Sequence, residues 1–213
     1  MEKAEKFFTG IGSRETPQEA LRVLHRLSAY LVKKGFKLRS GHAYGADRAC
    51  EEGADGSAVI YLPWKGFGQK PYKEDPGARV VGLWVVPPLL RLPKDYLNVI
   101  KWVCEERGSS YDDMSQGIQK LLYRNVCQVL GHGPEFHPSE VVICYHEDTG
   151  GTMYAVDIAI LYNVPVLNVR GLDYYEAKKK LKYILKNKGA SGGKKRKRKV
   201  QKKKRKKVRK KKG

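Results

Sequence analysis

Apolar positions along the chain follow two alternating patterns. Short, nearly unbroken apolar runs read as strands: KFFTGI at 6–11, FKLR at 36–39, SAVIYLP at 57–63, VVICYH at 141–146 and VPVLNV at 164–169. Between them stand segments with apolar residues at helical spacing. Ala20, Leu24, Leu27 and Leu31 mark one helix. It is opened by Thr16-Pro17-Gln18-Glu19, which has the form of a capping box with proline at the first helical position, and Gly35 supplies its stop. SGHAYGAD at 40–47 is a glycine-containing turn into a second, short helix. A largely apolar helix is expected from Thr152 to about Tyr162, and a last one from about Asp173 to Lys188. The segment 64–138 is less regular. RVVGLWVVPP is read there as an extra strand or hairpin. Leu97, Ile100 and Val103 suit a helix near 95–107, and Ile118, Leu121, Leu122, Val126, Val129 and Leu130 suit another.

Strands that alternate with helices imply a parallel sheet covered on both faces, and strands buried on both faces should be apolar at nearly every position. The reading is therefore an α/β protein: a Rossmann-like, doubly wound, mainly parallel sheet of about five strands. It spans 1–188, with an insertion at about 70–115, and no internal repeat is visible.

Charge changes this picture only when it is located. The 213 residues carry a net +21, but residues 194–213 alone hold 16 basic side chains and no acid. The rest holds 27 basic and 22 acidic side chains, a net of +5. GASGG at 189–193 reads as a flexible linker to a disordered tail, because blocks of like charge repel themselves and stay extended. The tail cations are Lys194, Lys195, Arg196, Lys197, Arg198, Lys199, Lys202, Lys203, Lys204, Arg205, Lys206, Lys207, Arg209, Lys210, Lys211 and Lys212. They should bind any polyanion with steep salt dependence. With no aromatic residue among them, they should read phosphate density rather than base sequence. A tail that only solubilises is the alternative. KKRKRK also has the form of a nuclear-import signal. Four cysteines (Cys50, Cys104, Cys127, Cys144) stand far apart with no CxxC pair and read as free buried thiols in a reducing compartment. No apolar run has membrane-spanning length and no signal region follows the N-terminus, so a cytoplasmic protein is expected, nuclear if made in a eukaryotic cell.

Three turns leave predicted strands at one edge of the sheet: GIGSRETP, SGHAYGAD and EDTGGT. Open parallel sheets bind ligands beyond the carboxyl ends of their strands, near the point where strand order reverses. Each turn carries glycines, which let backbone approach a ligand, and each opens a helix whose free N–H groups favour phosphate. The candidate phosphate-binding positions are Gly10, Gly12, Ser13 and Arg14; Ser40, Gly41, His42, Gly45 and Asp47; Arg124 and Asn125; and Gly150, Gly151 and Thr152. The competing reading is that the glycines only serve tight turns. Arg14 offers a planar fork suited to phosphate, and a cation near a helix N-terminus opposes the helix dipole unless an anion relieves the conflict. Asp47 either caps the second helix or meets a ribose hydroxyl or base. Glu147 and Asp148 are expected to cap the Thr152 helix, with metal binding or acid/base work as the alternative. Asn125 falls on an apolar helix face and must find partners, in a neighbouring loop or in a ligand. His42 is a candidate for polar ligand contact, whereas His25 is expected to be structural. No catalytic triad, HExxH or Walker lysine pattern occurs, and neither a metal nor a cofactor is expected.

GSRETP after the first strand, SGHAYGADRACEEGA after the second, YLPW after the third, YRNVCQVLG, and VVICYHEDTGGTMYAVDIAILYNVPVLNV together resemble the superfamily that joins the DNA-processing protein DprA (Smf) with the lonely-guy (LOG) phosphoribohydrolases. The chain looks most similar to the small phage and bacterial branch of that superfamily. The match covers about 5–170, and 70–115 resembles no known segment. The resemblance implies a Rossmann-like domain that binds nucleotide or nucleic-acid phosphate at these turns. In DprA-like members the pocket holds single-stranded DNA. In LOG-like members a PGGxGTxxE motif binds and hydrolyses a nucleoside monophosphate. Here Gly150, Gly151 and Thr152 keep the Gly-Gly-Thr element, but Ala155 stands at the glutamate position and the proline is absent. Glu147, Asp148 or Asp47 would have to substitute.

The expectation is a nucleic-acid-binding protein that holds a nucleotide or a single-strand end in the pocket, with the tail adding non-specific affinity. A LOG-like N-glycosidic hydrolase and a non-catalytic nucleotide sensor are the alternatives, and homo-oligomerisation is left open.

Overall fold

The structure, a computed structural model, describes residues 5–68, 82–85, 94–133, 135–148 and 150–187. The elements run β1 (Lys6–Gly12), α1 (Gln18–Lys33), β2 (Phe36–Ser40), α2 (Ala46–Ala54), β3 (Ala58–Leu62) and β4 (Gly82–Val85). They continue with α3 (Lys94–Glu106), α4 (Gln116–Leu130), β5 (Val142–Tyr145), α5 (Thr152–Leu161), β6 (Val166–Asn168) and α6 (Tyr174–Asn187). The linker and tail, and the parts of the insertion at 69–81 and 86–93, lie outside the described residues.

The strands form one sheet in the order β4-β3-β2-β1-β5-β6, and every neighbouring pair is parallel. This is the doubly wound α/β sheet expected from the alternation. The segment read as an extra strand or hairpin supplies a sixth strand, β4, which pairs parallel with β3. Successive crossovers from β1 to β4 move one way, and the chain then returns to place β5 on the other side of β1. Strand order therefore reverses between β1 and β5.

That winding divides the helices. α1, α2 and α6 cover one face, and α3, α4 and α5 cover the other, each over its own apolar cluster. Strand residues alternate between the two clusters: Val142 and Cys144 point to one, Ile143 and Tyr145 to the other. This explains why the strand runs are apolar at consecutive positions. On α1, Leu24, Leu27 and Leu31 are wholly buried, each contributing about 1.5–3 kcal/mol of transfer free energy. All four cysteines are buried and free. No helix among the described residues is long and apolar enough to cross a membrane.

Helix starts differ from expectation in two places. The capping box at Thr16 does not form. Pro17 is the N-cap, and the Thr16 hydroxyl instead donates to the Ser13 carbonyl at 2.6 Å, closing the turn after β1. A capping box forms at α6, where the Asp173 carboxylate accepts from the Glu176 N–H at 2.9 Å and Glu176 accepts from the Asp173 N–H at 3.2 Å.

Candidate nucleic-acid interface

Helices that connect parallel strands run antiparallel to them, so α1, α2, α5 and α6 all begin at the carboxyl edge of the sheet. The three glycine turns meet there. The first and second are fused. Gly45, with φ +80°, is the N-cap of α2 and lies against the Ser13 and Arg14 backbone, while the Ala46 N–H donates to the Ser13 carbonyl at 3.3 Å. Ser13 in turn donates its N–H to the Tyr145 carbonyl at 3.2 Å, which joins the β1 turn to β5.

Asp47 binds these turns from below. Its carboxylate accepts from the N–H groups of Gly12 and Gly41, both at 3.2 Å, and from Ala43 at 3.5 Å. It has no exposed surface. Neither expected role for Asp47 is found: Gly45 is the cap, and the carboxylate is engaged by backbone rather than open to a ligand. Burial pushes its carboxyl up to about 6, opposed by the nearby Arg124 guanidinium and reinforced by Glu51.

His42 is likewise buried, with φ +60°. Its Nδ1 lies 2.7 Å from Glu51 Oε2, and its Nε2 lies 3.1 Å from the Gly68 carbonyl. Glu51 also accepts from the Ser40 hydroxyl at 2.6 Å and the His42 N–H at 3.1 Å. Arg48 donates to the Gly68 carbonyl at 3.4 Å. Glu51 and Arg48 were not singled out from the sequence. Glu51 stands four residues after Asp47, one helical turn along α2, and that spacing was the available signal.

α4 supplies the wall behind the second turn. Arg124 donates to the Gly41 carbonyl at 3.1 Å and to Asn125 Oδ1 at 3.2 Å. Asn125 donates to the Gly151 carbonyl at 3.2 Å, so its partners are an arginine and the third turn's backbone. Burial pulls the Arg124 guanidinium below its usual value, opposed by Asp47 and Glu51. A desolvated cation and two acids beneath one edge form a network in which removal of any member leaves charge uncompensated.

The third turn is more open. Gly150 and Gly151 are exposed, and Gly151 is the N-cap of α5, with no side-chain capping bond. The expected caps do other things. Glu147 accepts from the Tyr145 hydroxyl at 2.8 Å, and Asp148 lies 3.4 Å from His146 Nδ1 and 3.9 Å from Arg170. Thr152 is mostly buried, and Ala155 is wholly buried in the apolar core. Arg14 projects into solvent. Gly12 of β1 is in register with Tyr145 of β5, so Arg14 and the α5 start flank the crevice where strand order reverses.

Tyr175, in the first turn of α6, is exposed at this edge, and two more exposed aromatic side chains stand beyond the second and third strands. Tyr44 follows β2, and Trp64 follows the neighbouring β3. The Arg48 guanidinium lies 5.2 Å from the Tyr44 ring, and Trp64 meets Phe67 edge-on at 5.2 Å. Exposure on the surface was the missing signal for both. His25, expected to be structural, is exposed on α1.

No protein-family model matches the chain, and no curated protein matches it. Among solved structures, DNA processing protein A from Helicobacter pylori, studied for its single-stranded DNA binding mode, aligns over 76% of this chain with 18% identity and a TM-score of 0.51. The alignment spans 63% of that protein's length. DprA from Streptococcus pneumoniae aligns over 76% of this chain and 49% of its own, with 13% identity and a TM-score of 0.46. The molybdenum cofactor carrier protein of Chlamydomonas reinhardtii aligns over 85% of this chain and 98% of its own, with 14% identity and a TM-score of 0.37. The order of the strands, the reversal point between β1 and β5 and the likeness to the Helicobacter structure give the chain a DprA-like Rossmann-type fold.

Proposed function

We propose that the protein binds single-stranded DNA at the carboxyl edge of its sheet. Arg14 and the first N–H groups of α5 hold backbone phosphates, Tyr44 and Trp64 offer faces for bases, and the basic tail adds salt-sensitive, sequence-independent affinity. The observation that carries this reading is the pairing across the reversal point. An exposed arginine stands in the turn after β1, and on the other side of the reversal point α5 starts behind two uncrowded glycines. The N–H groups at a helix start lack intrahelical partners and carry partial positive charge, so an anion satisfies both sides at once. Exposed aromatics beside a basic edge suit unpaired bases, whose stacking contributes about 1–3 kcal/mol each. The Helicobacter protein of like fold is a single-stranded DNA binder, which supports the choice of ligand class.

The test is fluorescence anisotropy of the full chain with oligothymidylate and with thymidine monophosphate, at salt high enough to suppress the tail. Arg14→Ala should leave the melting temperature unchanged and weaken oligomer binding by about 1.5–3 kcal/mol, the cost of a charged hydrogen bond. Equal affinity of the variant and the wild type would sink the reading. Tight binding of the mononucleotide with no gain for the oligomer would move the assignment to a nucleotide-binding protein, with product analysis to follow.

A further inference from the structure

A groove of about 670 Å³ runs along the outer side of the α1/α2 layer, away from the crevice between β1 and β5. Its walls carry Arg22, His25 and Arg26 from α1 and Arg48 from α2, with Glu52 as the acid among its lining residues. Its shape has a local cause. Gly53 lets α2 touch α1, since a methyl there would come within 2.2 Å of the His25 carbonyl oxygen. Gln18 and Gly45, where the two helices begin, line the other end of the groove. The two helices touch at Gly53, and the groove's lining reaches their starts, next to the glycine turns.

Its charge is unbalanced in the free protein. Arg22 and Arg26 stand one helical turn apart on α1, a like-charge spacing that disfavours the helix. Among the described residues, neither they nor Arg48 makes an ion pair; Arg26 lies over the Tyr174 ring at 3.7 Å, a contact that leaves its charge without a counter-ion. Some exposed or half-exposed cations elsewhere do find acids, as Arg107 does with Asp157 and Lys101 with Asp112, but no acid pairs with these three arginines, and they share one concave surface. With three arginines against the single Glu52, the concave surface carries a surplus of positive charge, which attracts the opposite charge. Arg48 belongs to both places, since it also contacts the Gly68 carbonyl and lies beside Tyr44 at the mouth of the interface.

We infer that the α1/α2 groove is a second phosphate track, which takes the backbone of a single strand as it leaves the glycine turns. The inference rests on the single-strand-binding reading above and extends it to a surface outside the crevice. Arg22 and Arg26 hold phosphates, and Arg48 is the junction. A long strand engages crevice and groove together, whereas a very short one engages the crevice alone.

The full chain is titrated with labelled oligothymidylates of about 16 and about 4 nucleotides, the span of single-strand site sizes. The variants are Arg22→Gln with Arg26→Gln, a control Lys33→Gln with Lys34→Gln at the far end of α1, and Arg14→Ala. Loss of two phosphate contacts should lower the salt slope for the long strand by about 1.4 and weaken it roughly tenfold at a salt concentration that suppresses the tail. The short strand should be unchanged. A loss for the long strand no larger than that of the lysine control, or an equal loss for both lengths, overturns the groove. If Arg14→Ala still weakens both strands in that case, the crevice reading stands without it. If Arg14→Ala has no effect, the crevice reading itself has failed. Polyglutamate serves as a second probe. Impaired polyglutamate binding with intact long-strand binding in the double arginine variant would assign the groove to an acidic protein partner and overturn the proposal.

Discussion

Gly12 and Gly151 each stand where a strand passes into a helix. A methyl group on Gly12 would come within 2.6 Å of the Ala46 Cβ and 2.7 Å of the Tyr145 carbonyl oxygen. A methyl group on Gly151 would meet nothing within 4 Å, and its φ of −64° suits any residue. The first turn needs glycine because α2 presses on β1. The third turn needs Gly151 for neither conformation nor crowding, although Gly150 beside it, at φ +78°, uses glycine's conformational freedom. Similar glycine motifs therefore have different causes. At the first two turns they serve close packing over a buried polar network. At the third they leave backbone open to whatever approaches.

The largest expected effect lies in the buried network. Asp47→Ala strips the acceptor from three N–H groups and leaves Arg124 without its nearest opposing charge. Unfolding should become easier by about 3–5 kcal/mol, measured by denaturant titration, with no substitution at the third turn approaching that loss. A cost under about 1 kcal/mol would mean that surface turns and buried turns do not differ as described.

Acidity gives the next effect. Asp47 titrates near 6 in the folded protein against an ordinary value of 3.8. Between those values the folded state holds a proton that the unfolded chain has released. The stabilisation from this group is complete below about pH 4 and is lost as pH rises through 6, on the order of 3 kcal/mol in total. The stability difference between wild type and Asp47→Asn should shrink by that amount between pH 4 and 7. A flat difference would show that Asp47 is not desolvated.

The smaller effects sharpen the contrast itself. Gly12→Ala should destabilise by about 1–3 kcal/mol, as overpacked sites do, because both near neighbours belong to rigid elements. Gly151→Ala should leave stability unchanged or raise it by about 0.4–1 kcal/mol. It should nonetheless weaken oligonucleotide binding, since the added methyl stands over the α5 start. Thermal unfolding and anisotropy on the same two variants separate the roles. A Gly151→Ala protein with native affinity would remove the third turn from the interface.

Much of the architecture was legible in the order of residues. Buried parallel strands must be apolar on both sides, so VIYL, VVIC and VPVLNV declared themselves, and with them the layered fold and the edge where the turns meet. Asn125 also declared itself, because a polar residue on an apolar helix face must find partners. Helix caps were less legible. Thr16 and Asp173 each head a cap-like pattern, but the Ser13 carbonyl lies close enough to capture one hydroxyl, and nothing competes for the other carboxylate.

The roles of individual side chains at the edge depend on contacts across long stretches of chain. Asp47 reaches Gly12 across 35 residues, and Arg124 reaches Gly41 across 83. No local pattern reports such distances. Hydrophobic periodicity is a property of neighbouring residues, so the strands, helices and their layering follow from it alone. Whether a carboxylate is buried, a glycine crowded or an arginine left without an acid is settled when distant segments meet, because desolvation and close contact exist only after the helices have docked on the sheet.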